Sequence, residues 1–255
     1  SDEPIIISDS DALCDLMPVT GCVVSYNREI NNRADDSVVR MCHGKTILIR
    51  RSRGYAPEPV DLAAVAEGIF AAGAEQKNSF CIGKGSRAIL SQYIGDIKNV
   101  ATCDYYAETY RLFSSLFRFV PSDVVCDMHP DYLSGRFAEE LAGKRGVPLM
   151  RIQHHHAHAV SVMAEHRLSG RVIGVVMDGT GYGTDGNIWG SEFLIASATE
   201  FERYTHFEYF MMPGGDAAVA EPWRMALSCL CSSLGSDYDF RSLKLFREID
   251  EIRFA

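Results

Sequence analysis

The residues best able to do chemistry are Gln153-His154-His155-His156-Ala157-His158, followed twenty residues after His158 by Asp178 in MDGTGYGTDGNIWG. If the first segment is helical, His154 and His158 share one face at i and i+4. Neutral imidazole nitrogens at that spacing can bind one divalent ion. Two ligands are too few for such an ion, and Asp178 is the natural source of a carboxylate. A helix start carrying core or surface histidines is the plain alternative. Four histidines in five residues, followed by an acidic Gly-rich turn, weigh against it. His155 and His156 point to other faces and are set aside as ligands. The zinc-protease pattern HExxH shares the spacing, but His155 stands where its glutamate general base belongs.

Three loops could hold an anion. DGTGYGTDG supplies Gly179, Gly181, Gly183 and Gly186, and glycines bring backbone N–H groups close to phosphate oxygens. The pattern is neither GxxxxGK[ST] nor GxGxxG, and a plain β-turn is its alternative. MPGGDAAVAEPWRMA places Gly214, Gly215 and Asp216 before an expected helix, whose N-terminus suits an anion. A simple turn explains that sequence too. GAEQKNSF carries Lys77 and Asn78, which a solvated loop accounts for equally well. Arg50, Arg51 and Arg53 end a strand with guanidinium groups suited to phosphate or carboxylate. A solvated charge run is the more economical reading of those three.

These side chains need a scaffold, and the chain can build one. Its 255 residues are 47% hydrophobic and 23% charged, which suits one large domain or two small ones. The formal net charge of −9 argues against a general nucleic-acid binder. No apolar run approaches the ~18 residues of a membrane span, and no leader pattern opens the chain. The eight cysteines form no CxxC pair, the closest spacing being Cys229-x-Cys231. Reduced thiols in a cytoplasmic setting are the expectation. The opening SDEPIII lacks a starting Met and the closing REIDEIRFA reads as unfinished, so a fragment of a larger protein is expected.

Strands are expected at Gly21–Tyr26, Ser37–Cys42 and Thr46–Arg50, and a domain boundary at RRSRGYAPEPVDL with its Gly54, Pro57 and Pro59. Leu62–Ala71 reads as a helix, and FCIGKGSRAILSQYIGD as a hairpin or two strands around Gly83–Gly85. Thr102–Phe119 is helical by period, with Tyr106, Tyr110, Phe113 and Phe117 on one face. VVCDMHPDYLS is a buried strand and a turn. Ser134–Lys144 is a helix, Pro148–Ile152 a strand, and His154–His166 a helix. Arg171–Met177 is a strand feeding the Gly-rich turn, and Ile188–Ala196 another. The alternation predicts an α/β fold.

At these residues the chain resembles a known family. QHHHAHAVSVMAEH, VVMDGTGYGTDGNIWGSEFL, MPGGDAAVAEPWRMAL, GAEQKNSFCI, SQYIGDIKN and CDMHPDYLS look like the hydrogenase maturation carbamoyltransferases, HypF. SDEPIII, NREINNRADDSVVR and ILIRRSRGYAPEPV look like the end of that family's YrdC-like domain. The resemblance implies a YrdC-like remnant over 1–58. Over 59–255 it implies the first lobe of an actin/Hsp70-like carbamoyltransferase domain, incomplete at its C-terminal side. It implies an enzyme that makes a carbamoyl adenylate from carbamoyl phosphate and ATP. The carbamoyl group then passes to the C-terminal cysteine of a HypE-type partner, for the cyanide ligand of [NiFe] hydrogenase.

The resemblance also places the site. Metal ligands fall on His154, His158 and Asp178, with a further aspartate expected beyond Ala255. Nucleotide and phosphate loops would include Lys77, Asn78, Gly179, Thr180, Gly181, Gly214, Gly215 and Asp216. In the YrdC-like part, Ser37, Arg50 and Arg53 fall near nucleotide-binding strands. Histidine and carboxylate ligation suits zinc or iron. The attacking thiolate comes from the partner, so no catalytic residue apart from the metal site is expected. The family's acylphosphatase domain, Cys-rich fingers, most of the YrdC-like domain and the second lobe have no counterpart here, which implies a chain incomplete for the whole reaction. Two rival readings are a small-molecule O-carbamoyltransferase and a non-catalytic fragment that binds metal or a partner.

Overall fold

A computed structural model of the chain describes residues 3–246. Ser1, Asp2 and the REIDEIRFA segment lie outside the described residues. The N-terminal part holds α1 (Asp9–Asp11), a π-helical turn over Ala12–Leu16, α2 (Met17–Thr20) and a hairpin of β1 (Val38–Cys42) and β2 (Lys45–Arg50). Gly21–Tyr26 forms no strand. Its Val24 is 93% exposed, so nothing apolar draws the segment onto a sheet.

The main body starts with a six-stranded sheet. Its order is β3 (Val60–Asp61), β6 (Arg87–Leu90), β5 (Cys81–Lys84), β4 (Ile69–Ala71), β7 (Asp123–Asp127) and β8 (Leu149–Ile152). β4, β7 and β8 run parallel, and the other pairs are antiparallel. α3 (Val100–Leu116) makes the crossover from β6 to β7, and α4 (Leu133–Arg145) that from β7 to β8.

The expected helix over Leu62–Ala71 is replaced by the turn from β3 into β4. Leu62 N–H donates to Ser86 O, Ala66 N–H to Gly85 O and Gly68 N–H to Gly83 O. The β5–β6 hairpin thus claims the backbone groups a helix would have used. Gly68, at φ +76°, turns the chain into β4 against Ser122. Pairing with neighbouring strands overrode a local apolar pattern.

Over Thr102–Phe119 and Ser134–Lys144 sequence period and structure agree. Asn99 and Thr102 form a capping box that starts α3. Tyr106, Tyr110 and Phe113 are buried against the sheet, while Phe117, at the C-cap, is only partly covered. Phe70 and Phe80 are fully buried beneath them, with ring centroids 4.9 Å from Tyr110 and 5.3 Å from Phe113 respectively. Each such burial is worth roughly 1.5–3 kcal/mol. α4 ends on Lys144 and Arg145, favourable near a helix C-terminus, and on a left-handed Gly146.

α5 (His154–Glu165) leads to a second, antiparallel sheet of order β13 (Phe201–His206), β12 (Glu192–Ala196), β9 (Val172–Val176). Ala159 of α5 packs on Leu194 and Ala196, with Val172, Val176 and Phe201 around them. The expected strand over Ile188–Ala196 is two strands. β11 (Ile188–Trp189) pairs with β10 (Gly181–Tyr182), and β12 follows after Gly190 and Ser191. α6 (Ala217–Ala220) and α7 (Trp223–Leu234) come next. No helix among the described residues is long and apolar enough to cross a membrane.

Candidate metal centre

Three chain segments meet at the C-terminal ends of strands from both sheets, the usual place for a site in an open α/β sheet. β8 ends at Ile152, and Gln153 caps α5 by accepting the His156 N–H at 2.9 Å through Oε1. That cap places His154 and His158 on one helical face. β9 ends at Val176 and delivers Asp178 from the other sheet.

One ligand atom from each of His154, His158 and Asp178 lies within 4.8 Å of the others. His154 Nε2 is 3.2 Å from His158 Nε2 and 3.1 Å from Asp178 Oδ2. His158 Nε2 is 3.6 Å from the same oxygen. Asp178 Oδ2 is inaccessible to solvent, yet neither ring nitrogen meets it in hydrogen-bonding geometry. A buried carboxylate oxygen in that state costs free energy unless a cation sits beside it. The donor set of two imidazoles and a carboxylate therefore fits a divalent ion.

Two groups escaped the sequence reading. Asp127, the last residue of β7, places Oδ2 2.7 Å from His154 Nδ1 and accepts the His129 N–H at 2.8 Å through Oδ1. His155, set aside as facing elsewhere, is fully buried with Nε2 2.6 Å from Asp178 Oδ1. His156 does turn away, its Nε2 lying 2.8 Å from Ser197 O. The sequence marks Asp127 only by its place directly after Val124-Val125-Cys126, at the C-terminal end of an expected strand, which does not encode its contact with His154.

The electrostatics follow from these contacts. The Asp127 carboxylate, hydrogen-bonded to Nδ1, and then the facing Asp178 carboxylate push the His154 imidazole up to about 9, against its burial. Burial alone would raise Asp178, but the imidazoles of His154, His155 and His158 around it, with the His155 hydrogen bond to Oδ1, hold its carboxyl well below the usual range. Burial, and the nearby Asp127, Glu75 and Asp178 carboxylates, push the Tyr132 phenol up to about 12.

The anion loops fare differently. Gly179 and Thr180 follow Asp178 directly. Gly181 leaves room for the histidines: a Cβ there would come 2.5 Å from His155 Cε1 and 2.9 Å from His154 Cδ2. Asn78 is buried, and its amide donates to Ala72 O at 3.1 Å and to Ala74 O. Its donors thus hold a chain turn instead of facing outward. Lys77 N–H donates to Asp96 Oδ1 at 2.7 Å. Gly214 and Gly215, both at positive φ, turn into α6, which is one short turn, and Asp216 makes no side-chain cap. A cavity of about 240 Å³ links Asp178 and Gly179 to Trp189, Tyr209, Met212 and Met225, so the chain just before Gly214 borders the metal-centre side.

Ser37, Arg50 and Arg53 belong to the β1–β2 region and contribute nothing to the histidine–aspartate cluster. Ser37 Oγ donates to Arg53 O and accepts the Ser52 N–H, each at 2.9 Å. Arg50 pairs with Asp35 and lies 4.8 Å over the Tyr93 ring, and Arg53 pairs with Asp36 at 2.7 Å.

Comparison with known proteins agrees with this architecture and places it in the Kae1-like class of actin-type domains. Residues 64–165 match the model for the HypF Kae1-like domain. Residues 174–251 match that for the second subdomain of the carbamoyltransferase Kae1-like domain. The chain belongs to the HypF family. It is 40% identical to the carbamoyltransferase HypF of Rhizobium leguminosarum bv. viciae, over 89% of this chain and 30% of that protein. It is 37% identical to the probable carbamoyltransferase HypF of Methanocaldococcus jannaschii, over 98% of this chain and 33% of that protein. Among solved structures, full-length HypF in a phosphate- and nucleotide-bound form superposes with a TM-score of 0.87 at 40% identity. That match covers 99% of this chain and 39% of the other. The HypF structure of T. kodakarensis gives 0.73 at 40% identity, over 79% and 26%. The chain thus spans about a third of the length of the curated relatives it matches.

Proposed function

We propose that this chain carries the transfer site of a HypF-type carbamoyltransferase. On this reading residues 1–58 are the end of a YrdC-like domain, and the Kae1-like domain begins at 59. The full protein makes a carbamoyl adenylate from carbamoyl phosphate and ATP. It then hands the carbamoyl group to the C-terminal cysteine of a HypE-type partner, in the cytoplasm. A sulfur–carbon bond forms, the bond from the carbamoyl carbon to the phosphate oxygen breaks, and AMP leaves. The observation that carries this reading is the meeting of His154, His158 and Asp178 ligand atoms within 4.8 Å, in a chain of this family.

His154, His158 and Asp178 would hold a divalent ion, zinc or iron, which supplies Lewis-acid polarisation of the carbamoyl carbonyl. The backbone around Gly179 and Thr180 lies next to that carboxylate and can donate N–H groups to the departing phosphate. No internal cysteine is needed as nucleophile, and all eight are free thiols.

The test is formation of a thiocarboxamide on a HypE-type C-terminal cysteine by the full-length parent, read as a mass increase, with carbamoyl phosphate and ATP supplied. No transfer under those conditions overturns the proposed activity. The metal assignment is tested separately: His154→Ala should abolish stoichiometric metal, and unchanged metal content removes the site.

A further inference from the structure

We propose that Asp127 and His155 are positioning residues of the metal centre, and that Gln153 sets the ring form His155 needs. The inference rests on the metal-centre reading above and concerns how the ligand atoms are aimed.

The hydrogen positions follow from which atoms can only donate or only accept. Gln153 Oε1 accepts the His156 N–H at the start of α5. Its NH2 group must then face the other way, where it donates to Tyr182 O at 3.2 Å and meets His155 Nδ1 at 3.2 Å. An amide NH2 has no acceptor, so His155 Nδ1 accepts. The neutral His155 ring therefore carries its hydrogen on Nε2, which donates to Asp178 Oδ1 at 2.6 Å. With Oδ1 held, Oδ2 is the oxygen turned toward His154 and His158.

The same logic fixes His154. The Asp127 carboxylate only accepts, so Nδ1 of His154 bears a hydrogen, and Nε2 is the nitrogen left to face the ion. Asp127 is held in turn by the His129 N–H and by the β7–β8 ladder, where it stands opposite Ile152. Each outer group is thus fixed by backbone geometry: Asp127 by a parallel strand pair, His155 by a helix cap.

The experiment uses the full chain, prepared free of metal and titrated with Zn²⁺ against a chromophoric chelator. Asp127→Asn and His155→Phe should each weaken Zn²⁺ binding by about ten- to a hundred-fold, with unfolding midpoints of the metal-free proteins recorded alongside. Gln153→Glu keeps size and the cap but replaces the donor at His155 Nδ1 with an acceptor. It should move the His155 hydrogen to Nδ1 in long-range ¹H–¹⁵N spectra and weaken Zn²⁺ binding. A merely structural role would leave that ring signature unmoved. His158→Ala reports on the underlying reading. If His158→Ala loses Zn²⁺ while Asp127→Asn, His155→Phe and Gln153→Glu all bind as the unaltered chain does, the positioning role is overturned and the metal centre stands. If the unaltered chain and His158→Ala bind Zn²⁺ equally, or neither binds it, the metal centre falls and the inference with it.

Discussion

His154 and Asp127 meet at 2.7 Å although 27 positions separate them, because each stands at the end of one of two parallel strands. Asp127 pairs with Ile152 in the β7–β8 ladder, and His154 begins the helix two residues beyond Ile152. Ladder register therefore sets the contact, and the β7–α4–β8 crossover is what builds it. Asp178 arrives from a different sheet, so the centre also ties the two sheets together.

The pair makes the stability of the metal-free protein depend on pH. The folded His154 is pushed up to about 9 from an unfolded value near 6.5, with the Asp127 hydrogen bond as the largest cause. A raised pKa means the folded state binds the proton more tightly. The contribution is fully present below about pH 6.5 and is lost as pH rises through about 9. Partial exposure screens the interaction, which leaves on the order of 2 kcal/mol. Urea unfolding of metal-free protein at pH 6 and pH 9.5 should show this fall, and His154→Gln should flatten it. An equal slope in both proteins would contradict it.

Gly181→Ala tests the room left for the histidines. A Cβ at 2.5 Å from His155 Cε1 has no space without a shift of the ring or of β10. The expected loss is about 1–3 kcal/mol of stability, together with weakened Zn²⁺ binding, since both His155 and His154 must move. Retention of full affinity by Gly181→Ala would mean that the glycine serves only the turn. Gly186→Ala makes a useful control, because its positive φ brings strain but its Cβ meets nothing nearer than Tyr182 Oη at 4.0 Å.

The sequence alone made much of this legible, and for identifiable reasons. Helical period exposed α3, α4 and α5, because each buries one face on a sheet and each face repeats in the sequence. The His154, His158 and Asp178 trio was legible because two members are one helical turn apart and the third stands where a strand enters a Gly-rich turn. Asp127 was not, since its role depends on which strand lies beside β8, and no local pattern encodes that. The contact of His155 with Asp178 was not legible for a related reason. The face argument considers α5 alone, whereas Asp178 comes from β9 and offers two oxygens, one on each side. Leu62–Ala71 failed because hydrogen bonds to the β5–β6 hairpin decide its conformation, not its own apolar spacing.

Asn78 separates a structural from a nucleotide-facing role. Its amide donates to Ala72 O and Ala74 O, and the Tyr106 hydroxyl donates to the same Ala72 carbonyl at 2.9 Å. Asn78→Ala should cost about 1–3 kcal/mol in urea unfolding, because it removes the side-chain donor from the buried Ala72 carbonyl and the half-buried Ala74 carbonyl. Thermal melts with and without ATP supply the second measurement. A variant of unaltered stability that loses only the nucleotide-induced shift would assign the side chain to the ligand instead.

Arg203 is the strongest test of what braces the centre from behind. Its Nε donates to Glu192 Oε2 at 2.6 Å, its Nη1 to the Tyr209 hydroxyl at 2.8 Å, and its guanidinium lies 3.9 Å over the Trp189 ring. Glu192 is only 2% exposed and stands opposite Val176, the last residue of β9 before the chain reaches Asp178. Removing the arginine leaves a buried carboxylate without its cation, which costs roughly 3–5 kcal/mol. Removing both charges leaves no such orphan. Arg203→Met should therefore destabilise strongly, and Arg203→Met combined with Glu192→Gln should recover part of the loss. Because the strain falls at the C-terminal end of β9, two residues before Asp178, Zn²⁺ affinity should drop in the single variant and return partly in the double. Additive losses in the double variant would show that the two side chains act independently, and that packing on Trp189 is the larger contribution of Arg203.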